Sequence, residues 1–297
     1  MQKVAAVVVT YNRKKLLCEC LERLMKQEYP CDILVIDNAS TDGTKESIDN
    51  FIQTGKIQYY NTGSNLGGAG GFNFGMRLAV ENGYEYVWIM DDDTYAEADA
   101  LYQLMEADQK LQGNYGFLSG VAYWTDGTLC NMNRQRISLR KKAEDFSSAV
   151  SPIIMATFVS FFVKSSVIRE MGLPIKEFFI WADDLEYSRR ISKKYPCYLV
   201  PDSRVIHCMG SNQKVGIEQE SKDRLWRYQY LYRNEVYVFR REGLKGWFYL
   251  FARVGCHVAK ILIKAKGDRT EKLKTIISSF ISGFKFYPAI EYVDKES

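Results

Sequence analysis

The N-terminal part of the chain alternates between short apolar runs and longer stretches in which apolar residues recur at helical spacing. This pattern predicts strands at 4–9, 33–36, 57–60 and 86–90, and helices at 16–25, 43–54 and up to about Asn82. Strands that alternate with helices are typical of a mostly parallel sheet with right-handed crossovers and helices on both faces. We therefore expect an α/β fold built around such a sheet.

The rest of the chain continues this pattern and then becomes helical. It predicts a strand at 116–123, a basic surface loop or lid at 133–142, buried strand at 153–163, a helix with an acidic start at 181–194, and a strand at 197–207. Beyond about 223 the pattern is wholly helical. We place a boundary there, between an α/β domain at 1–222 and a C-terminal helical segment at 223–297.

Four polar or glycine-rich turns follow the predicted strands. They read TYNR from Thr10, DNAS from Asp37, SNLGGAGG from Ser64 and DDD from Asp91. In a parallel sheet the carboxyl ends of the strands lie along one edge, and ligands bind in the crevice beyond it. We therefore expect these turns to meet in one site.

Composition narrows the class of protein. The chain has 297 residues, 46% of them hydrophobic, which is enough for one large core with a smaller C-terminal element. A net charge of only +4 argues against a dedicated nucleic-acid binder. Seven cysteines without a CxxC pair indicate neither a disulfide framework nor a thiolate zinc site. The apolar run near the N-terminus is too short for a signal peptide, so we expect a cytoplasmic protein.

The C-terminal segment is strongly basic. Between Arg240 and Lys285 it has eleven Lys and Arg against three Asp and Glu, interleaved with Trp, Phe and Tyr. This pattern suits either a helix that lies on an anionic membrane surface or helices packed on the α/β domain with a solvated basic face. Arg253 and Lys260 interrupt the apolar stretch, which argues against a membrane span.

Asp91, Asp92 and Asp93 directly follow the apolar residues WIM. One explanation is a solvated turn that caps the next helix. The other is a site for a hard divalent cation, Mn²⁺ or Mg²⁺, held by Asp91 and Asp93, with Asp92 free to contact a sugar or ribose hydroxyl. An EF-hand is excluded, because Ala96 occupies the glycine position and Tyr102 the glutamate position.

The stretch NTGSNLGGAGGFNFG fits neither a dinucleotide-binding GxGxxG nor a P-loop. Its glycines indicate a backbone that passes close to something bulky at a helix start. With Arg77 further along the helix, such a start suits a diphosphate. The alternative is a flexible turn without a ligand.

Two further features carry candidate chemistry. Asp183 and Asp184 lie at a predicted helix start beside Trp181, where they act either as caps or as a general base. His207 ends a predicted strand, either as a structural residue or as a group of the same site. His257 lies in the basic segment and has no assigned role.

With TYNR, DNAS, NLGGAGG, DDD, WADD and a following histidine in this order, the chain resembles the inverting glycosyltransferases of family 2, which have the GT-A fold. The resemblance covers about residues 1–235. NLGGAGGFNFG, IMDDD, WADDLEY and YRNE are most similar to the subset that transfers galactofuranose or rhamnose from nucleotide sugars. The QxxRW motif of processive synthases is absent, since Gln229 is followed by YLYRN, so we do not expect long-chain processive synthesis.

The resemblance implies a role for each matching residue. Asp91 and Asp93 match the metal-binding DxD, and His207 completes the metal site. The donor-binding positions are Thr10, Tyr11, Asn12, Arg13, Asp37, Asn65, Gly70, Gly71, Arg77 and Asp92. Trp181 and Asp183 would contact the acceptor, and Asp184 matches the catalytic base. The family's usual Glu-Asp pair is Asp183-Asp184 here, which leaves either carboxylate as a candidate for the base.

The implied reaction is metal-dependent transfer of a sugar to a hydroxyl of a glycan or lipid-linked glycan in cell-surface polysaccharide biosynthesis. The first choice of donor is UDP-galactofuranose and the second is dTDP-rhamnose. The expected location is the cytoplasm or the inner face of the cell membrane. We expect no nucleic-acid partner, and the sequence does not determine the oligomeric state. A sugar nucleotidyltransferase and a non-catalytic carbohydrate-binding protein are the alternatives.

Overall fold

The computed structural model describes residues 2–213 and 215–293. In these residues the strands are β1 (Val4–Thr10), β2 (Asp32–Asp37), β3 (Gln58–Asn61), β4 (Tyr86–Asp91), β5 (Thr94–Ala96), β6 (Phe117–Tyr123), β7 (Ser151–Pro152), β8 (Phe161–Lys164) and β9 (Tyr198–His207). The helices are α1 (Lys14–Leu24), α2 (Thr44–Ser47), α3 (Asp49–Gln53), α4 (Gly67–Glu81), α5 (Ala100–Lys110), α6 (Ser165–Met171), α7 (Asp183–Ser192), α8 (Leu225–Arg240), α9 (Gly243–Lys264) and α10 (Arg269–Phe284). Short 3₁₀ turns lie at Lys176–Phe178 and Lys222–Arg224.

The strands form one sheet in the order β3-β2-β1-β4-β8-β6-β9-β5, with β7 beside β9. The pairs β2–β3, β1–β2, β1–β4 and β6–β9 are parallel, whereas β8, β5 and β7 run antiparallel to their neighbours. The expected α/β fold with a mostly parallel sheet is therefore confirmed. In register, Val9 pairs with Asp91 and Thr10 with Asp37, so the predicted turns leave one edge of the sheet.

Helices cover both faces of the sheet because its strands are apolar on both sides. One core joins the sheet to α1 and α5, and the other joins it to α4, α6 and α7. Trp88 in β4 has no exposed surface, and its indole nitrogen donates to Ser160 Oγ at 3.0 Å. Such burial on both faces is what a central strand of a covered parallel sheet requires.

Two predicted elements differ from the structure. The stretch 153–163 is strand only from Phe161, although Ile153, Met155 and Phe158 before it are buried. A run of apolar residues indicates burial but does not show whether the backbone pairs with a neighbouring strand. The pattern therefore predicts a longer strand than the structure has. The helix expected at 43–54 is two short helices, α2 and α3, which meet at Ile48. The 133–142 stretch has no helix or strand, as expected for a loop.

The helices after residue 223 pack on the α/β part and on one another. Tyr237 of α8 lies edge-on to Phe178, with ring centroids 5.3 Å apart. Ile276 of α10 and Ile261 of α9 are fully buried in a cluster with α8. After α10 the chain returns to α4, where Glu291 reaches Arg77.

Helix α9 exposes much of its apolar surface. By length and composition it is long and apolar enough to cross a membrane. An 18-residue stretch of this helix has a mean hydropathy of 1.2, and 17% of that stretch is buried. The sequence predicts that Arg253 interrupts this apolar stretch, and the structure differs in this respect. Arg253 is turned inward, where its guanidinium pairs with Glu235 at 2.9 Å, so the outer face of α9 remains apolar.

Candidate functional site

The carboxylates at the end of β4 are held by the turn that follows β1. Thr10 Oγ1 donates to Asp92 Oδ2 at 2.7 Å. The guanidinium of Arg13 lies 3.3 Å from Asp92 Oδ1 and 2.8 Å from Asp93 Oδ2. The like charges of DDD are therefore offset by a cation from the neighbouring strand end.

His207 joins this cluster from β9. The antiparallel pairing of β5 with β9 sets His207 opposite Thr94, and its Nε2 lies 2.9 Å from Asp93 Oδ1. On its other side, Nδ1 lies 2.9 Å from Asn133 Oδ1. One potential ligand atom from each of Asp91, Asp93 and His207 lies within 4.8 Å of the others.

These residues fit a divalent cation. Two carboxylates and one imidazole suit Mn²⁺, and the carboxylates alone suit Mg²⁺. Both oxygens of Asp93 are hydrogen-bonded, one to Arg13 and one to His207. A cation would therefore compete with these two partners for Asp93.

Burial and mutual charge shift the pKa values in the cluster. Burial and the charge of Asp93 raise the pKa of Asp91 to about 7. Burial also raises the pKa of Asp92 to about 6, against the opposing charge of Arg13. Burial opposes ionisation of His207, but hydrogen bonds with Asp93 and Cys130 and the nearby carboxylates raise its pKa to about 10. Without a metal, His207 is therefore a cation that pairs with Asp93.

A cleft of about 570 Å³ opens beyond these strand ends, and we call it the strand-end cleft. Its lining includes Tyr11, Arg13, Asn65, Asp91, Asp92 and Arg227. The structure thus brings TYNR, the start of the glycine-rich stretch and DDD together, as expected from the sheet edge. Phe179, Ile180, Trp226 and Arg227 complete the wall from later parts of the chain.

Asn12 and Asp37 fix the turns without lining this cleft. Asn12 Oδ1 accepts from Thr41 N at 2.7 Å, and the backbone N–H of Asn12 donates to Ser40 Oγ at 2.8 Å. Asp37 is 1% exposed and accepts from Ser40 N at 2.8 Å and from Tyr59 at 2.7 Å. The neighbouring Asn38, which the sequence analysis missed, does line the cleft.

The glycines of α4 allow close packing rather than a flexible turn. Gly67 has φ +69°, and a Cβ there would lie 2.1 Å from the carbonyl oxygen of Phe179. A Cβ on Gly71 would lie 2.5 Å from Val9, and one on Gly70 would lie 2.6 Å from Leu66. Gly67 and Gly68 line the strand-end cleft, whereas Gly70 and Gly71 face the protein interior.

Arg77 lies away from the strand-end cleft. Its guanidinium pairs with Glu291 at 2.9 Å and donates to Tyr292 O at 3.3 Å. The sequence placed Arg77 beside a diphosphate because it lies on the helix that the glycines begin. In the structure, Arg77 instead lies on the part of α4 that contacts Glu291 and Tyr292.

The segment before α7 has an unusual backbone. Phe179, Trp181 and Ala182 have φ values of 61°, 67° and 66°, in the left-handed region that non-glycine residues rarely adopt. Asn234 of α8, which has no exposed surface, holds this segment. Its side-chain amide donates to the carbonyls of Phe178, Ile180 and Trp181 at 2.9, 3.2 and 2.9 Å.

A second cavity, of about 250 Å³, is lined by the next residues of this segment, and we call it the Asp184 cavity. Its lining includes Trp181, Asp184, Tyr228, Arg134, Arg136 and Lys142. Asp183 is buried and lines neither cavity. The structure thus places Trp181 and Asp184 in one cavity, whereas Asp183 lies outside its lining.

The two adjacent carboxyls differ in how far burial raises their pKa. Burial and the charge of Asp184 raise the pKa of Asp183 well above its usual range. Burial raises the pKa of Asp184 to about 6, and the amide of Leu185 and the charge of Arg136 oppose this rise. Burial therefore disfavours the charged form of Asp183 more strongly than that of Asp184, whose pKa of about 6 leaves it ionised at neutral pH. A pair of carboxyls whose pKa values are driven apart is typical of an acid–base site.

Several residues at these two cavities were missed by the sequence analysis. They are Asn38, Phe179, Trp226 and Arg227 at the strand-end cleft, the three cations of the 133–142 loop, and Asn234. The YRNE stretch contains Asn234 and was noted only as part of the resemblance. An asparagine among the aromatic residues of YQYLYRNEVYVF was the available signal in the sequence.

Known proteins support the resemblance. The family model described as glycosyl transferase family 2 matches residues 5–170. The galactofuranosyltransferase GlfT1 of Mycobacterium tuberculosis H37Rv is 28% identical over 286 residues, which covers 85% of this chain and 90% of that relative. The dTDP-rhamnosyl transferase RfbF of Shigella flexneri is 25% identical over 249 residues, which covers 80% of each chain.

The fold is also found among solved structures. The crystal structure of GalNAc-T7 with UDP, GalNAc and Mn²⁺ matches with a TM-score of 0.64 at 15% identity, over 96% of this chain. This chain spans 56% of the length of that one. The GT-A fold expected from the sequence is thus confirmed. Since the family model covers more than half of the residues, the chain belongs to glycosyl transferase family 2.

Proposed function

We propose that this protein is an inverting, metal-dependent glycosyltransferase that moves galactofuranose from UDP-galactofuranose to a hydroxyl of a glycan or lipid-linked glycan. One observation carries this proposal. Successive residues of one segment line both cavities: Phe179 and Ile180 line the strand-end cleft, and Trp181, Ala182 and Asp184 line the Asp184 cavity. A donor and an acceptor that enter these two cavities would meet at the carboxylate of Asp184.

Asp184 is the general base of this proposal. It takes the proton of the acceptor hydroxyl while that oxygen attacks the anomeric carbon from the face opposite the diphosphate. The bond from the anomeric carbon to the diphosphate breaks, its electron pair stays on the phosphate, and the configuration inverts. The raised pKa of Asp184 makes it a stronger base than an exposed carboxylate while leaving it ionised at neutral pH.

Asp91, Asp93 and His207 would hold Mn²⁺ or Mg²⁺, which as a Lewis acid would offset the charge that develops on the leaving diphosphate. Arg13 lies on the same carboxylates and faces the strand-end cleft. In our proposal it turns from Asp93 to the donor phosphates when the site is loaded. Thr10 keeps Asp92 in place for the donor.

The choice of sugar follows the relatives. The match to GlfT1 extends over most of both chains and supports galactofuranose. The match to RfbF, at 25% identity, supports dTDP-rhamnose as the second candidate. A panel of nucleotide sugars tests both choices, with release of the nucleoside diphosphate measured in Mn²⁺ and in EDTA. Turnover of UDP-galactofuranose is expected, and turnover of neither donor would refute the proposal.

We also propose that the protein works at the inner face of the cell membrane, with its C-terminal helices on the surface. The outer faces of α9 and α10 expose Leu244, Phe248, Phe251, Leu262, Ile263, Ile277, Ile281 and Phe284. We call these residues the α9–α10 apolar face. Lys245, Lys260 and Lys264 are exposed on α9 at its edges. Apolar side chains with basic residues beside them suit an anionic lipid surface.

A further inference from the structure

The Asp184 cavity has more positive charge than the proposed base requires. Its charged lining consists of Arg134, Arg136, Lys142, Arg253, Asp184 and Glu235. Arg253 and Glu235 pair with each other at 2.9 Å. Three cations, all from the 133–142 loop, therefore face the single carboxylate of Asp184.

These three cations have no carboxylate partner within residues 2–213 and 215–293. Arg134 donates to Ala143 O, Arg136 to Leu139 O at 3.1 Å, and Lys142 to Asn131 O at 2.7 Å. In the same part of the chain, Nε of Arg134 is buried without a hydrogen-bond partner.

Electrostatic repulsion within the group is also evident. Burial and the charges of Arg134 and Arg136 lower the pKa of Lys142. Gathering like charges around a cavity is unfavourable unless an anion offsets them. The loop therefore presents unused donors and an uncompensated charge to whatever enters beside Asp184.

We propose that Arg134, Arg136 and Lys142 form an anion subsite for the acceptor and bind a phosphate group that it carries close to the reacting hydroxyl. This inference rests on the proposed function, since it assigns the acceptor to the Asp184 cavity. Phosphate is favoured over carboxylate because three separate cations match its greater charge and its larger number of oxygens.

This subsite is separate from the place proposed for the donor phosphates. The Asp184 cavity and the strand-end cleft share no lining residue, and the cleft has its own cations in Arg13 and Arg227. The phosphate could belong to a lipid carrier or to a polyol phosphate. On the far side of the same loop, Leu139 and Arg140 border a groove with the exposed Leu244 and Phe248 of the α9–α10 apolar face.

The test is a calorimetric titration of the full chain, preloaded with UDP and Mn²⁺, with geranyl diphosphate, glycerol 3-phosphate and methyl glucuronide. Phosphate probes should bind more tightly than the glucuronide. Arg136→Gln and Lys142→Gln should each weaken phosphate binding roughly tenfold, the loss of one charge-assisted hydrogen bond. Arg140→Gln and Lys141→Gln, on the same loop but outside the cavity, should change the affinity for phosphate by no more than about twofold. Tighter binding of geranyl diphosphate identifies a lipid carrier, and tighter binding of glycerol 3-phosphate a polyol phosphate.

Equal phosphate affinity in the cavity variants and the controls would refute the subsite, and so would equal affinity for the glucuronide. Release of UDP from the donor is measured on the same samples. If the donor is turned over but Arg136→Gln and Lys142→Gln leave the phosphate affinity unchanged, the anion subsite alone is refuted. Loss of phosphate affinity in protein that turns over no nucleotide sugar would refute the proposed function and leave an anion site without an acceptor role.

Discussion

The side-chain nitrogen of Asn234 lies 2.9 Å from the carbonyl oxygen of Trp181 and holds the backbone between the two cavities. Removing this amide by Asn234→Ala leaves buried carbonyls without a donor, at a cost of about 1–3 kcal/mol each. We therefore expect a lower free energy of unfolding in urea and at least a tenfold lower kcat in protein that circular dichroism shows to be folded. Asn50→Ala, at an exposed position on α3, is the control. An unchanged kcat would mean that the segment keeps its conformation without Asn234.

The two adjacent carboxyls should respond differently to neutral substitution. Asp184→Asn removes the base, and we expect kcat to fall by roughly 10²–10⁴. Burial raises the pKa of Asp183 and the residue lines neither cavity, so Asp183→Asn should reduce kcat less than tenfold. Initial rates of transfer at saturating donor measure both. The reverse ranking would assign the base to Asp183.

The pH dependence of kcat/KM should show the ionisation of Asp184. Because burial raises its pKa to about 6 and the ionised form is active, the rate should fall as the pH drops through about 6. The charge of Arg136 opposes this rise, so Arg136→Gln should shift the acidic limb to higher pH. Arg140→Gln, on the same loop, should not move it. A shift to lower pH in Arg136→Gln would contradict this account of the charges.

Arg13 and a metal ion should substitute for each other as partners of Asp93. Mn²⁺ should raise the melting temperature, because a ligand at a hundredfold excess over its Kd stabilises the folded state by about 2.7 kcal/mol. In Arg13→Gln, Asp92 and Asp93 lose one cationic partner, so the metal-free protein should melt lower and gain more from Mn²⁺. Differential scanning fluorimetry with Mn²⁺ or EDTA compares the two proteins. Asp93→Asn should abolish the gain, and an equal gain in Arg13→Gln would refute the competition.

The α9–α10 apolar face should determine membrane binding. We expect the protein to float with vesicles that contain phosphatidylglycerol and to remain below with neutral vesicles or in high salt. Replacing Phe248 and Ile263, which are 69% and 77% exposed, by Ser should abolish flotation without lowering the melting temperature. Tyr102→Ser, at an exposed site on α5, is the matched control. Flotation of the double variant would locate the contact elsewhere. Point variants are preferable to truncation, since Leu250 and Ile276 pack against α8.

The sheet edge and the groups that meet there could be predicted from the sequence. An apolar run of β-branched residues followed at once by a polar turn shows where a parallel strand ends. Asp91, Arg13 and Asn65 were therefore assigned to one place, and all three line the strand-end cleft.

Features that depend on distant parts of the chain could not be predicted in this way. Arg77 pairs with Glu291, more than two hundred residues later. Asp37 turns away from the strand-end cleft because Tyr59 and Ser40 hydrogen-bond to it. Local spacing says nothing of such partners. For the same reason, the sequence predicts a solvated surface for the cations of the 133–142 loop, whereas in the folded protein Arg134, Arg136 and Lys142 line the Asp184 cavity.

The contact between Gly67 and Phe179 limits how the enzyme can be redesigned. At that contact the two walls of the strand-end cleft meet through backbone atoms, with no room for even one extra carbon. A programme to change the nucleotide or sugar specificity therefore cannot add a side chain at Gly67. Variation should instead be directed to Tyr11, Trp226 and Arg227, which line the cleft. The glycine-rich stretch should be kept as a constant frame in any such library.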